Sequence, residues 1–210
     1  MVLVIGNKRY SSWSLRPWVL MKHFEIPFEE KLIPLDQPDS EANLLKYSPS
    51  KKVPALIDGE ITVWESMAIM EYLNEKYPEK QMWPANVKMR AMARSVANEM
   101  HSGFSTMRNI MSHDIQKIVP GFDYTKALND VNRVMEIWLD CLQKSGGPFL
   151  FGEFTIADAM FAPVVNRFIT YDVKVDTECA KYMIAMRELP AHKAWIDAGL
   201  VEKLVMPRYN

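Results

Sequence analysis

Cysteine is scarce in this chain, and where it is missing matters more than where it occurs. The two cysteines are Cys141 and Cys179, and neither belongs to a Cys-x-x-Cys motif or lies beside a histidine cluster. A dithiol redox site and a cysteine nucleophile are therefore excluded from the first 140 residues. The four histidines also lack metal-ligand spacing such as His-Glu-x-x-His, so we expect no metal site.

Neither an excess of one charge nor a long apolar run is found. Lysine and arginine number 25 against 26 acidic residues, and this balance argues against a nucleic-acid-binding surface. No apolar run approaches the roughly 20 residues of a membrane span. The apolar start, residues 2–5, has no basic region before it and is too short for a signal peptide. We expect a cytoplasmic globular protein without a membrane partner.

The first 78 residues alternate between short apolar segments and helical patterns. A buried strand, a helix with Pro17 in its first turn, a second strand and a short helix come first. An Asp58-Gly59 hairpin and a final helix follow. This βαβαββα order predicts a small α/β domain with a mixed sheet. The predicted elements are residues 2–5, 15–24, 28–33, 40–47, 54–57, 60–64 and 66–77.

The rest of the chain has a helical period and no strand pattern. Residues 79–87 are the predicted linker, and residues 88–210 are predicted to form an all-helical domain. The fold class is therefore α/β plus all-α. Apolar stripes indicate one long helix through Met89 and Met107, then helices over 128–142, 156–168, 178–187 and 190–199. Thr155 and Asp158 have capping-box spacing at the start of the third.

Three hydroxyl residues lie just before or at the start of the first helix. Ser11, Ser12 and Ser14 would ordinarily cap that helix. A hydroxyl at this positive helix end also has the chemistry to donate to a bound anion, such as the thiolate of a ligand. No histidine–aspartate partner is recognisable nearby, so the sequence gives no support for a serine nucleophile.

Two further segments have the chemistry to hold an amino-acid ligand. Val53 precedes a proline, so its extended backbone is available to pair with an extended peptide, and a cis Val53–Pro54 bond would direct it into a cleft. Ser66 at a helix start favours a carboxylate, and Glu65 offers the opposite charge to an amine. The alternative is that Pro54 merely opens a strand and Ser66 merely caps a helix.

Taken together, these segments resemble a cytosolic glutathione S-transferase of the serine type, nearest to the zeta class (maleylacetoacetate isomerase-like enzymes) and its bacterial relatives. Four motifs carry the resemblance, in the right order and over essentially the whole chain: Ser11-Ser12 followed by Arg16, Val53-Pro54, Glu65-Ser66, and Thr155-x-x-Asp158. The resemblance implies a thioredoxin-like, glutathione-binding domain over residues 1–78. It also implies that the helical domain contributes a second-substrate pocket.

The resemblance also implies roles for individual residues. Ser11 would donate a hydrogen bond to the glutathione sulfur, with Ser12 as the alternative if the alignment slips by one position. Arg16 would be structural. Trp13 stands where the zeta pattern has a cysteine, so the resemblance supports thiol activation more than isomerase activity. Val53, preceding the family's cis-proline Pro54, would pair with the cysteinyl unit, and the γ-glutamyl group and the glycyl carboxylate would be held by Glu65, Ser66 and Lys52.

The implied second-substrate pocket lies between the domains, and its expected lining is Trp13, His101, Phe104, Met107, Arg108 and Met111. Glutathione would be a co-substrate, a small electrophile the second substrate, and the protein a homodimer with a role in detoxification. Three functions stay open: a glutathione transferase, a glutathione-dependent cis-trans isomerase of a maleyl-type diacid, and a non-catalytic binding protein. A peroxidase side activity also stays open.

Overall fold

The computed structural model describes residues 1–206 and has an α/β domain followed by a helical domain, in agreement with the predicted fold class. The first is thioredoxin-like, with a four-stranded sheet in the order β2-β1-β3-β4. β1 pairs with β2 in parallel and with β3 in antiparallel register, and β3 and β4 form the hairpin. The elements are β1 Val2–Ile5, α1 Ser12–His23, β2 Glu29–Leu32, α2 Ser40–Leu45, β3 Ala55–Asp58, β4 Ile61–Trp64 and α3 Ser66–Lys76.

The second domain is helical and packs directly on the first. A buried helix, α7, contacts α1 of the first domain, and both contribute to one continuous apolar core. Because α1 is buried between the sheet and α7, its N-terminal end is fixed relative to both domains. The helices are α4 Val87–Ser102, α5 Ser105–Ile110, α6 Leu128–Ser145, α7 Ile156–Thr170, α8 Thr177–Glu188 and α9 Pro190–Val201.

The predicted capping box at the start of α7 is confirmed. The Asp158 carboxylate accepts from the Thr155 backbone N–H at 2.9 Å and from its hydroxyl at 3.0 Å. The Thr155 hydroxyl in turn accepts from Ala157 N–H at 3.2 Å. The same carboxylate accepts from Leu150 N–H at 3.0 Å, so it also anchors the preceding loop.

Two sequence predictions about helix limits were wrong. Helix α1 begins at Ser12 rather than Leu15, because Ser11 caps it, and Pro17 consequently lies in the second turn. The long helix predicted through Met107 is broken at Gly103 and Phe104, where Phe104 adopts a left-handed backbone with φ 60°. Gly103 has extended backbone, which ends α4 and lets α5 start in a new direction.

Within residues 1–206, no helix combines the length and the apolar character that crossing a membrane requires. The same residues contain no group of three or more histidine, cysteine or acidic side chains arranged to hold a metal ion.

Candidate functional site

Two serine hydroxyl groups at the N-terminus of α1 differ in their hydrogen bonding. The Ser11 hydroxyl accepts from Ser14 N–H at 3.3 Å and donates to the Ser14 hydroxyl at 2.8 Å, so Ser11 is the N-cap. The Ser14 hydroxyl also accepts from Gly6 N–H at 3.1 Å, which ties the helix start to the end of β1. Ser12, the first helical residue, has no side-chain hydrogen bond within the described part of the chain.

Both serines line a cleft of about 860 Å³ between the domains. Lys52 and Val53, which precede β3, line the same cleft, although about 40 residues separate them from the serines in sequence. The Val53–Pro54 peptide bond is cis. The other lining residues come from the start of α1 and the loop before it, from the loop and helix after β2, from the loop before β3, from α5 and α7, and from the segment after α9: Tyr10, Trp13, Leu35, Asp36, Ser40, Glu41, Leu44, Ser50, Lys51, Arg108, Arg167 and Met206.

The loop that leads into α1 is held by the helical domain. The Arg9 guanidinium forms two 2.8 Å hydrogen bonds with the Asp114 carboxylate, and the Arg9 carbonyl accepts from Ile115 N–H at 3.1 Å. His113 Nδ1 lies 3.2 Å from the Tyr10 carbonyl, which only accepts, so Nδ1 carries the proton. Burial and the nearby positive charge of Arg167 hold the pKa of His113 well below its ordinary value, consistent with a neutral ring. The serines are therefore presented by a fixed loop.

Trp13 is surrounded by cationic groups. The guanidinium carbons of Arg16 and Arg108 lie 4.0 Å and 4.8 Å from its ring centroid, within the range of cation–π attraction. The His101 ring meets it edge-on, with the ring centroids 5.3 Å apart. Trp13 thus joins α1 to α4 and α5, at the position where the sequence departs from the zeta pattern.

The guanidinium groups around the cleft are poorly solvated. Arg16 is fully buried, donates from Nε to the Met160 carbonyl at 3.2 Å, and has two terminal nitrogens without a partner among the described residues. Burial, reinforced by the charges of Arg108 and Arg167, lowers the pKa of Arg16 well below its ordinary value. Burial also lowers the pKa of Arg108. The field in this part of the cleft therefore favours anions.

Glu65 and Ser66 lie at a second helix start, that of α3. Glu65 has φ 76°, in the left-handed region, and its carboxylate lies 3.2 Å from His101 Nε2 of the helical domain. Burial is the main cause of a lowered pKa at His101. The Ser66 hydroxyl is buried and has no hydrogen-bond partner in the described structure. An acidic group and an unpaired hydroxyl therefore meet at one helix N-terminus.

The structure brings some of the predicted site residues together and leaves others apart. Ser11, Ser12, Trp13, Lys52, Val53 and Arg108 line the cleft, whereas Pro54, Glu65, Ser66 and His101 are not among its lining residues. Phe104, Met107 and Met111 are buried in the apolar core and do not line it either.

Sequence reasoning missed two lining residues of interest. Arg167 is a lone cation within the apolar stripe of α7. A single charged residue in such a stripe is a sequence signal that could have identified it as a site residue. Met206 is a single apolar residue after the last predicted helix, and nothing in its local sequence points to the cleft.

The sequence matches a known family in both domains. Residues 10–76 match the glutathione S-transferase N-terminal domain and residues 121–198 match the glutathione S-transferase C-terminal domain. The chain is 33% identical over 162 residues to a probable maleylacetoacetate isomerase 2 of Drosophila melanogaster, covering 74% of this chain and 69% of that protein. It is 31% identical over 129 residues to a zeta-class glutathione S-transferase of Euphorbia esula, covering 60% of this chain and 57% of that protein.

Solved structures with the same fold include a glutathione transferase homolog from Burkholderia with bound glutathione, at 24% identity and a TM-score of 0.71 over 94% of this chain and 96% of that one. A maleyl pyruvate isomerase of the zeta class has a TM-score of 0.73 at 20% identity, covering 98% of this chain and all of that one. The chain belongs to the glutathione S-transferase family. The expected fold and enzyme class, a glutathione transferase with isomerase activity as the alternative, are confirmed.

Proposed function

We propose that this glutathione transferase binds glutathione in the 860 Å³ cleft, stabilises its sulfur as thiolate at the N-terminus of α1, and presents it to a small electrophile. The observation that carries this proposal is the convergence of Ser11, Ser12, Lys52 and Val53 on one cleft at a helix N-terminus. A helix N-terminus and a hydroxyl donor both lower a thiol pKa. Thiolate attack then joins sulfur to the electrophilic carbon, and a leaving group departs or a double bond accepts the electron pair.

The hydrogen bonds at α1 favour Ser12 as the sulfur ligand, with Ser11 as the alternative. The Ser11 hydroxyl already donates its proton to the Ser14 hydroxyl at 2.8 Å, so donation to a thiolate would require breaking that hydrogen bond. The Ser12 hydroxyl is not committed to another group of the described chain, so it is free to donate to a thiolate.

The remaining parts of glutathione are assigned to the other predicted residues. Val53 would pair its backbone with the cysteinyl unit, and Lys52 would neutralise the glycyl carboxylate. Glu65 and Ser66 do not line the cleft itself but lie next to it, since His101 contacts both Glu65 and the cleft-lining Trp13. They would hold the γ-glutamyl amine and carboxylate, because the unpaired Ser66 hydroxyl and the α3 N-terminus both favour an anion. The contact between His101 and Glu65 supports this assignment by holding the Glu65 carboxylate at the helix start.

The test is an ultraviolet difference titration of glutathione at neutral pH, following the thiolate band. We expect a saturable band with the unmodified enzyme and its loss in Ser12→Ala, with kcat/KM reduced about ten- to hundredfold, the value of one hydrogen bond to a charged group. The matched control is Ser11→Ala, which should keep the band but lose about 1 kcal/mol of stability as a helix cap. A band retained in Ser12→Ala and lost in Ser11→Ala would reverse the assignment.

A second candidate activity is the cis-trans isomerisation of a maleyl-type diacid. Arg108 and Arg167 line the cleft beside the serines, and guanidinium groups are well suited to carboxylates. In this reaction glutathione adds across the double bond and is eliminated again, without net consumption. Turnover of a maleyl diacid well above that of a neutral aryl halide would favour isomerase activity, and the opposite ratio would favour general conjugation.

We also propose that the enzyme is a cytoplasmic homodimer that acts in detoxification, in line with the family resemblance of its sequence. Light scattering after size exclusion would give the mass of the assembly, which for a dimer is twice the 24.3 kDa of the chain.

A further inference from the structure

The segment after α9, residues 202–206, crosses from the helical domain to the glutathione-binding domain. The Glu202 carboxylate accepts from Arg9 N–H at 2.8 Å and from the Asn7 side-chain amide at 3.4 Å. Those two residues belong to the loop that presents the serines. Glu202 therefore fixes the segment to the loop that leads to the proposed sulfur-binding serines.

Two glutamines hold the segment at other points. The Gln116 side-chain amide donates to the carbonyls of Gly199 at 2.9 Å and Glu202 at 2.8 Å, so the exit from α9 is fixed. The Gln37 amide, on the loop before α2, donates to the Val205 carbonyl at 3.3 Å. The segment is thus attached at both ends, at α9 and at the loop before α2.

The last described residue, Met206, is placed very differently from its neighbours. Its side chain is 2% exposed, whereas Leu204 is 43% exposed. Met206 lines the 860 Å³ cleft together with Tyr10, Ser11 and Leu35. A thioether side chain is flexible and polarizable, so it adapts to the surface of a bound ligand.

We propose that Met206 is a glutathione-contacting residue, and that its side chain forms one wall of the glutathione site. This inference rests on the proposed function, because it takes glutathione as the occupant of the cleft. It assigns part of a binding site that is otherwise built by the first domain to a segment that follows the last helix. The contact is apolar, so it would hold the ligand and would not change the thiol chemistry.

The test compares three variants by the glutathione dissociation constant and by steady-state kinetics. Met206→Ala removes this apolar contact and should weaken glutathione binding about tenfold. That change corresponds to roughly half to most of the free energy gained by burying a methionine side chain. Met206→Leu keeps an apolar side chain of similar size and should remain within about threefold of the unmodified enzyme. Leu204→Ala is the matched control from the same segment and should change nothing. We expect KM for glutathione to rise and kcat to change little.

A measurement on the unmodified sequence keeps the test independent of whether Met206→Ala folds. Methyl-labelled methionine gives one signal for Met206, assigned by its absence in Met206→Leu. We expect S-methylglutathione, an unreactive probe, to shift that signal. An unshifted signal while the probe binds, or unchanged affinity in folded Met206→Ala, would overturn the inference. Absence of glutathione binding to the unmodified enzyme would instead overturn the proposed function.

Discussion

Two helix N-termini in this protein are each capped by a hydroxyl side chain, but they differ in the residues that follow the cap. Helix α1 is capped by Ser11 and α7 by Thr155, and both cap residues are buried to a similar degree, 6% and 4% exposed. In α7 the third helical residue is Asp158, whose carboxylate closes the box. In α1 the third helical residue is Ser14, and the first turn carries no acidic residue.

This difference decides which terminus is free to bind an external anion. Where the chain supplies its own carboxylate, the positive helix end and its N–H donors are satisfied internally, and the terminus is structural. Where the first turn contains hydroxyls and no carboxylate, the chain does not neutralise the positive helix end, which can still attract an external anion. The open terminus is the one that faces the cleft, so the missing acid in α1 is part of the case for thiolate binding there.

The largest effect that would test the comparison is the loss of the α7 carboxylate. Asp158→Ala leaves Leu150 N–H, Thr155 N–H and the Thr155 hydroxyl unpaired inside the protein, so we expect the free energy of unfolding to fall by about 3–5 kcal/mol. Urea denaturation measures this. Asp140→Ala, on the exposed face of α6, is the control and should change stability by less than about 0.5 kcal/mol. A loss below about 1 kcal/mol in Asp158→Ala would mean that the box is not closed by this carboxylate.

The pH dependence of stability gives a somewhat smaller effect at the same residue. Burial raises the pKa of Asp158 to about 6, from an ordinary value of 3.8. The folded state therefore binds this proton more tightly than the unfolded chain, and the contribution of this group to stability falls as the pH rises from about 4 to about 6. The change is about 2–3 kcal/mol in all, at 1.36 kcal/mol per pKa unit.

Other carboxylates also titrate in this range, so the measured quantity is the difference in unfolding free energy between the unmodified protein and Asp158→Asn. Asparagine is nearly isosteric and does not titrate there. We expect the advantage of the unmodified protein over Asp158→Asn to shrink as the pH rises from 4 to 7. An advantage that grows with pH would mean that hydrogen bonding to the carboxylate outweighs its burial.

Much of the fold was readable from sequence because its signals are local. Short apolar strands, the Asp58-Gly59 hairpin and the Thr155-x-x-Asp158 spacing each depend on a few adjacent residues, and the structure contains all of them. The point at which the long helix is interrupted was harder to predict. Phe104 continues the apolar period of α4, so periodicity alone runs the helix through a residue whose backbone is left-handed.

The site was predictable only where a local motif marked it. Ser11, Ser12 and Val53 carry such motifs. The contacts that position them do not, because they join residues far apart in sequence: Arg9 pairs with Asp114, 105 residues away, and with Glu202, 193 residues away. Those pairings depend on how two domains pack, and no single segment encodes them. Met206 and Arg167 reach the cleft for the same reason.

The sharpest test converts one terminus into the other. Ser14→Asp places in α1 the carboxylate that α7 has at the third helical position. The side chain is only slightly larger, and it keeps an acceptor for Gly6 N–H. A negative charge within the first turn would oppose a bound thiolate, so we expect the pKa of the glutathione thiol in the complex to rise by about one unit. The thiolate band at neutral pH should shrink accordingly, about tenfold in the thiolate-to-thiol ratio.

Ser14→Asn has nearly the shape of Ser14→Asp without its charge, and it separates electrostatics from packing. If the open terminus of α1 activates the thiol, the asparagine variant retains most of the band and the aspartate variant loses it. Equal loss in both variants would mean that the buried packing around Ser14 matters and its charge does not. Equal retention would mean that the helix terminus contributes little, and thiol activation would then have to come from the guanidinium groups of Arg108 and Arg167, which line the same cleft.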